Sequence, residues 1–522
     1  MRNIVLVLLG LAMVLLPVSG QVALSHSETL KVKDCVRKNV FKGRKYKFQH
    51  LPTFEETQKK LPKPIFDEQP DYVKMYWDTW EMVFSQFRQP AKNSPFISNY
   101  IDEAYNEALF LWDTSFMTMF CNYGYPYVPG IQSLDNFYYS QMEDGEIVRE
   151  IDENTGLPRV KWAKPGTPAS LNHPILAWAE IESFKITADT SRLQQVYFPL
   201  VAHYYAYNKI RDPKSLLFYG SWASMDNSPR LDNMLCGLDT SAELVLFARN
   251  LSEIAGIIGL REDSSYFACE AKKMSENINN KLWDGFTNFY YDLNKKGEIH
   301  NVKTIAAYWT LLAKIPSKYQ ASKLVDALKD KSQFNRVHRV PTVPADEPAF
   351  EPQGGYWRGG VWTPTNIMVI EGLENYGYIQ LAREIALNHF ENVYKVYKKT
   401  GTVWEFYQPD FIEVGYQKGH RTRPDFTGWT GCVPIKIFIE YVLGIKVNAP
   451  DKLINWDIRS DKRIGIEQLQ FGDNIISMIA DERSQGKRLI KVVAKEAFLL
   501  TVTDNENEFV RHMKKGINMF YI

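Results

Sequence analysis

The chain has 522 residues, 45% hydrophobic and 24% charged, an ordinary globular composition with ample material for a large core. Its 62 basic and 61 acidic side chains leave a net charge of +1, so nothing electrostatic calls for nucleic acid or an anionic membrane as partner. Aromatics are plentiful at 14%, and flat rings edged by polar groups suit the apolar faces of sugars.

Residues 1–20 read as a signal peptide. Arg2 supplies the positive end, Ile4 to Leu16 the apolar stretch, and Val18-Ser19-Gly20 the small-residue cleavage site. The stretch is too short for a comfortable membrane span. The expectation is an exported chain, periplasmic or secreted after cleavage near Gly20, without stable membrane insertion. Residues 21–65 are polar and irregular, with a basic cluster at Lys42–Lys47, and are expected to form an N-terminal arm on the main domain.

Residues 66–450 alternate helical patterns with long loops rich in Gly, Pro and aromatics. Residues 241–260, 266–284, 363–378 and 379–399 place apolar side chains three and four apart, the helical period. No strands recur at the spacing of a doubly wound sheet, and no period of about 34–45 residues marks a solenoid. A mainly α fold is expected, an (α/α)6 toroid. After Pro450 the texture changes to short runs rich in Ile and Val, punctuated by Gly, Asp and Asn, which predict a small β domain over 451–522. The five cysteines (Cys35, Cys121, Cys236, Cys269 and Cys432) lack zinc spacing and read as buried free thiols. Asp292-Leu293-Asn294 followed by Gly297 echoes part of a calcium loop but lacks its acidic complement, so a solvent-exposed turn between helices is expected, with no metal and no cofactor.

Four loops share one character: charged groups among large rings. They are "ALFLWDTSFMTMF" (108–120), "SWASMDNSPR" (221–230), "PQGGYWRGGVWTPTN" (352–366) and "GTVWEFYQPD" (401–410). Each has a bland reading, Asp113 as a helix cap or Arg230 as a partner for Asp226. Together they offer two carboxylates, Asp226 and Glu405, in aromatic surroundings. Hydrolysis of a glycosidic bond needs such a pair, one protonated to release the leaving oxygen and one ionised to activate water.

The order and wording of these loops resemble glycoside hydrolase family 63 and its (α/α)6-barrel relatives, with trehalases more distant. "FLWDTSFM" is similar to the family's Trp-Asp motif, "NHPILAWA" to its Gln-Pro-Pro helix start, and "SMDNSPR" to its acid loop. "YWRGGVWTPTN" is similar to Tyr-Trp-Arg-Gly-Pro-Val-Trp, and "WEFYQPD" with "FTGWTG" to its Glu-rich loop and Gly-Trp stretch. The resemblance spans roughly residues 105–445. It implies an inverting α-glycosidase acting on an oligosaccharide or glycoside, glucosidic first, with Asp226 as general acid and Glu405 as general base. Sugar-binding residues expected from these motifs are Trp112, Asp113, His173, Trp222, Asn227, Arg230, Trp357, Arg358, Trp362, Trp404 and Trp429. Trp222 and Met225 are expected to lower polarity around Asp226, and Arg230 to brace the loop, because a close cation would spoil an acid. Gly360 departs from the family's Pro, His173 from its Gln, and Ala223-Ser224 from its Ser-Gly. His173 is read either as a sugar contact or as a cap for the helix that follows Pro174.

Three alternatives stand beside this reading: a sugar epimerase, a phosphorylase and a non-catalytic glycan binder. An epimerase would use paired His residues near the sugar, but the nine His mostly lie outside the four loops, with His173 the exception. Glu405 argues against a phosphorylase, which needs no separate base. The presence of both carboxylates argues against a binder.

Overall fold

A helix that is apolar on every side must be interior, whereas one with a single apolar stripe lies against a core. Both kinds are present in the computed structural model, which describes residues 26–103, 106–161, 164–504 and 507–522; the proposed signal peptide lies outside the described residues. Six segments are of the interior kind: Leu111–Cys121, Leu176–Thr187, Leu238–Ile257, Ile305–Tyr308 with Trp309–Leu312, Thr363–Asn375, and Thr430–Cys432 with Val433–Val442. In the first of them every residue but Trp112 is buried. Each packs against the next in chain order, and the last returns to pack on the first, so the contacts close a ring. Gly372 marks one tight crossing: a Cβ there would stand 2.9 Å from the Leu311 Cβ.

The outer helices carry the periodic stripe. Arg261–Leu282 buries Phe267, Ala271, Met274, Ile278 and Leu282, and Ile379–Thr400 buries Leu381, Ile385, Phe390 and Val393 on a similar period. They pack on Leu238–Ile257 and on Thr363–Asn375 respectively, while Pro70–Ser85 and Thr190–Ala206 cover other stretches of the ring.

From Ile445 onward the chain forms strands. Ile445–Asn448, Leu453–Ile458, Phe498–Asp504 and Asn507–Met513 make one four-stranded sheet, parallel only between the second and third of these. Ile464–Phe471, Asn474–Ala480, Leu489–Ala494 and Gly516–Tyr521 belong to a five-stranded sheet. Alternate residues of most of these strands are buried, the period of a sheet with one covered face. Phe471 of the second sheet meets Phe498 of the first at 5.4 Å between ring centroids, which ties the two together. The fifth strand of the second sheet is Lys63–Phe66, which pairs antiparallel with Ile464–Glu467. The segment expected to be an irregular arm thus contributes a strand, and also a helix, His26–Arg37, which packs on Thr190–Ala206.

Two further expectations change. Asp292–Asn294 and Ile299–His300 form a hairpin that pairs with Met234–Cys236, not a turn between helices; Asp292 is buried and accepts from the Leu238 amide at 2.7 Å. The cysteines are free, and Cys269 is exposed while the other four are buried. Among the described residues no helix is long and apolar enough to cross a membrane, and no His, Cys, Asp and Glu group could hold a metal ion.

Candidate active site

The inner helices place one end of the ring where the loops are. Asp113 lies in the first turn of Leu111–Cys121, His173 precedes Leu176–Thr187, and Asp226 precedes Leu238–Ile257. Tyr356 to Trp362 leads into Thr363–Asn375, and Glu405 to Trp429 into the closing helix. Helix N-termini carry positive partial charge and unpaired N–H groups, a setting that suits carboxylates.

Hydrogen bonds chain the loops together. Asn227 donates from Nδ2 to the Gly355 carbonyl and accepts at Oδ1 from the Trp357 amide, both at 2.9 Å, which clasps the acid loop to the 352–366 loop. Val361 and Tyr407 exchange backbone bonds at 2.9 and 3.0 Å, which joins that loop to the one carrying Glu405. Gly360 donates its own N–H to the Tyr356 carbonyl at 3.1 Å, a bond that a Pro could not make.

Asp226 is exposed to solvent, yet protein atoms crowd its carboxyl closely enough that burial dominates its titration, the setting of a recess. Burial is the largest influence on its carboxyl and raises its pKa; Glu150 adds to the rise, while Arg149, a hydrogen bond with Tyr356 and His173 oppose it. Trp222 is 40% exposed, with the Arg149 guanidinium 4.8 Å over its ring, and Met225 is buried.

Beneath the acid loop is a buried polar frame. Arg230 is fully enclosed and pairs with Asp239 and with Asp292, the latter at 3.1 Å, so it holds the loop from below and does not face the recess. His173 sets Nδ1 2.6 Å from Glu243 and Nε2 3.1 Å from the Ser224 carbonyl. Both ring nitrogens are thereby engaged, which leaves no nitrogen for a sugar hydroxyl; the buried ring lies 4.0 Å from Trp112.

Glu405 is 5% exposed, and burial pushes its pKa up; Thr422 and Arg423 hold it down and the Asp113 charge adds to the rise. Thr422 Oγ1 donates to Oε2 at 2.5 Å, and Trp429 donates from Nε1 to the Glu405 carbonyl oxygen at 2.8 Å. Asp113 and Glu103 are neighbouring buried carboxyls, and burial raises both, Glu103 well above the usual carboxylate range.

The aromatic residues form a wall. Trp357 and Trp362 stack at 4.1 Å with planes 4° apart, and Phe406 continues the stack at 4.6 Å. Trp362 has no exposed surface, so it backs Trp357 and cannot itself touch a ligand, contrary to its expected role. Trp404 is buried and donates from Nε1 to Thr400 at 3.0 Å. Arg358 pairs with Glu351 at 2.8 Å rather than with either candidate carboxylate. The motifs did not single out Glu103, Arg149, Glu150, Tyr356 or Thr422. Only Tyr356 lay inside a quoted motif, beside Trp357.

Residues 238–414 match the domain described as Mannosylglycerate hydrolase MGH1-like glycoside hydrolase. An uncharacterized protein of Borreliella burgdorferi is 25% identical over 462 residues, 85% of this chain and 94% of that one. The mannosylglycerate hydrolase of Rubrobacter radiotolerans is 28% identical over 37% of this chain, and the match spans 41% of that enzyme. The family 63 mannosylglycerate hydrolase of Thermus thermophilus, solved with glucose, superposes with a TM-score of 0.55 at 20% identity, over 70% of this chain and 99% of its own. The chain resembles glycoside hydrolases of this kind in sequence and in fold.

Proposed function

We propose that this chain, which carries an MGH1-like glycoside hydrolase domain, is an exported inverting α-glycosidase on an (α/α)6 toroid. The observation that supports it most is the pair Asp226 and Glu405. They lie on loops clasped to a common neighbour, and burial raises the pKa of both.

In this reading Asp226, kept protonated by its walls, gives its proton to the glycosidic oxygen as the bond to the anomeric carbon breaks. Tyr356 holds the carboxyl toward that oxygen. Glu405, with Oε2 taken by Thr422, uses Oε1 to accept a proton from water as the water attacks the opposite face. Inversion needs space for that water, so the carboxyl groups should stand roughly 6.5–9.5 Å apart, against ~5–5.5 Å in a retaining enzyme. Asp113 binds sugar hydroxyls, while the Trp112 and Trp357 rings face the sugar's C–H surface. Asn227, Arg230 and His173 fix the acid loop. The Rubrobacter relative's name makes mannosylglycerate a substrate to try beside α-glucosides.

The epimerase alternative asks for imidazoles at the sugar. Two are paired, His338 Nε2 with His389 Nδ1 at 2.6 Å, but they are 1% and 0% exposed, which takes them out of reach. Proton NMR of the first product tests the proposal. The β-anomer released from an α-glycoside, without need of phosphate, is the expected result. Release of the α-anomer would remove Glu405 from the role of base.

A further inference from the structure

The acid loop shows solvent little of itself. Ser221, Ala223, Ser224 and Met225 are buried, so between residues 221 and 226 only Trp222 and Asp226 are exposed. Trp222 is the only exposed tryptophan among the described residues. The turn that lifts it out is pinned on both sides. Ser221 Oγ accepts from the Ala223 amide at 2.9 Å, and Ser224 Oγ accepts from Asn172 Nδ2 at 2.8 Å. A loop that buries a residue as small as Ala223 and leaves an indole bare is arranged against the hydrophobic effect.

The indole is also braced. The Arg149 guanidinium lies over its ring, and that cation rests on a fixed backbone. The Arg149 carbonyl accepts from the Leu111 amide and its amide donates to the Ser170 carbonyl, both at 2.9 Å, which seats it beside Trp112 and Asp113. From there Arg149 favours the ionised forms of Asp226 and Asp113, against the effect of burial on each. Trp222 therefore stands at the rim of the recess, on the side of the acid.

That side belongs to the leaving group. A general acid must reach the glycosidic oxygen, so what flanks it meets the aglycone, while the base works from the opposite face of the glycone. A braced, bare indole there suits the C–H face of a pyranose ring. It offers little to a small acid. Arg149 is already paired with Glu150, which is 2% exposed, and acts on Asp226 and Asp113 as well. A carboxylate aglycone would meet three acids around one cation, a costly juxtaposition of like charges. Arg423 acts on Glu405 instead.

We propose that Trp222, braced by Arg149, is the aglycone platform, and that the leaving group is a neutral sugar ring rather than a small acid. The inference rests on the hydrolytic reading with Asp226 as acid. Its probes are α-glucosyl and α-mannosyl fluorides, the matching α-linked disaccharides, and the matching glycosides of glycerate. Fluoride leaves without a ring or a carboxylate, so the fluorides report the chemistry apart from the aglycone. For the glycone that is turned over, the unaltered chain should cleave the best disaccharide with at least tenfold higher kcat/KM than the glycerate glycoside. Trp222→Ala should lower kcat/KM on that disaccharide at least tenfold more than on the fluoride, and Trp222→Tyr should recover most of the loss. Equal losses on disaccharide and fluoride would overturn the platform, as would no loss on either, or a preference of the unaltered chain for the glycerate glycoside. Fluorides left intact by the unaltered chain would overturn the hydrolytic reading, and this proposal with it.

Discussion

Burial raises both Asp226 and Glu405, so their neighbours must separate their roles. Arg149 stabilises ionised Asp226, and Thr422 stabilises ionised Glu405. In an inverting mechanism the alkaline limb of the pH profile follows the acid, and the acidic limb follows the base. Arg149→Met removes a cation that lowers the Asp226 pKa, so the alkaline limb should move to higher pH. Thr422→Val removes a donor to ionised Glu405, so its pKa rises and the acidic limb should also move to higher pH. The loss in kcat for Thr422→Val is expected to be about ten- to a hundredfold, since a hydrogen bond to a charged group contributes ~1.5–3 kcal/mol. A profile of kcat/KM against pH for each variant checks both signs; the alkaline limb moving down in Arg149→Met would contradict the assignment of Asp226. Glu405→Gln should abolish turnover whatever the leaving group. Asp226→Asn should lose at least ~10²-fold on poor leaving groups and much less on an activated aryl glycoside, which departs without a proton.

Between elements, the acid loop depends on a few polar clasps. Asn227 makes two of them, to Gly355 and to Trp357, and neither partner touches the reacting bond. Asn227→Ala should therefore lower kcat more than it raises KM, by roughly tenfold at ~0.5–1.5 kcal/mol per lost bond, with the melting temperature nearly kept. Parallel kinetics and thermal melts measure this; a variant that melts far lower while keeping kcat would make the clasp structural only. Elements with a clear period are legible in the sequence. Ile379–Thr400 matches its expected span to within a residue because its polar face alternates with its apolar one. The loops that hold Asp226 and Glu405 are legible because charges among rings are unusual. Arg149 and Glu103 are not, because they sit in segments with no such signature and reach Asp226 and Asp113 only through the fold. Trp362 misleads for a related reason: a motif names a ring but does not say which of two stacked rings faces solvent.

Over the whole molecule, local pattern gives way to pairing between distant segments. The Ile- and Val-rich runs after Pro450 announce strands, but no periodicity could say that Lys63–Phe66 would join them from near the other end of the chain. The sheets are also stitched to the ring. Ala449 donates to the Lys185 carbonyl at 2.7 Å, Gly472 to the Ile186 carbonyl at 2.8 Å, and Trp456 Nε1 to the Leu443 carbonyl at 3.0 Å. Lys446 reaches Glu374 on an inner helix. Removing residues 451–522 would bare the end of the closing helix and the edge of Lys63–Phe66, and would leave apolar surface that belongs to one continuous core. The full chain should then melt in one transition, and a chain ending at Pro450 should be insoluble or lack a cooperative melt. Calorimetry of the full chain and expression of the shortened one decide this. A shortened chain that stays soluble, melts cooperatively and hydrolyses an α-glucoside at the full rate would show that the ring is a unit on its own and the β sheets an appendage.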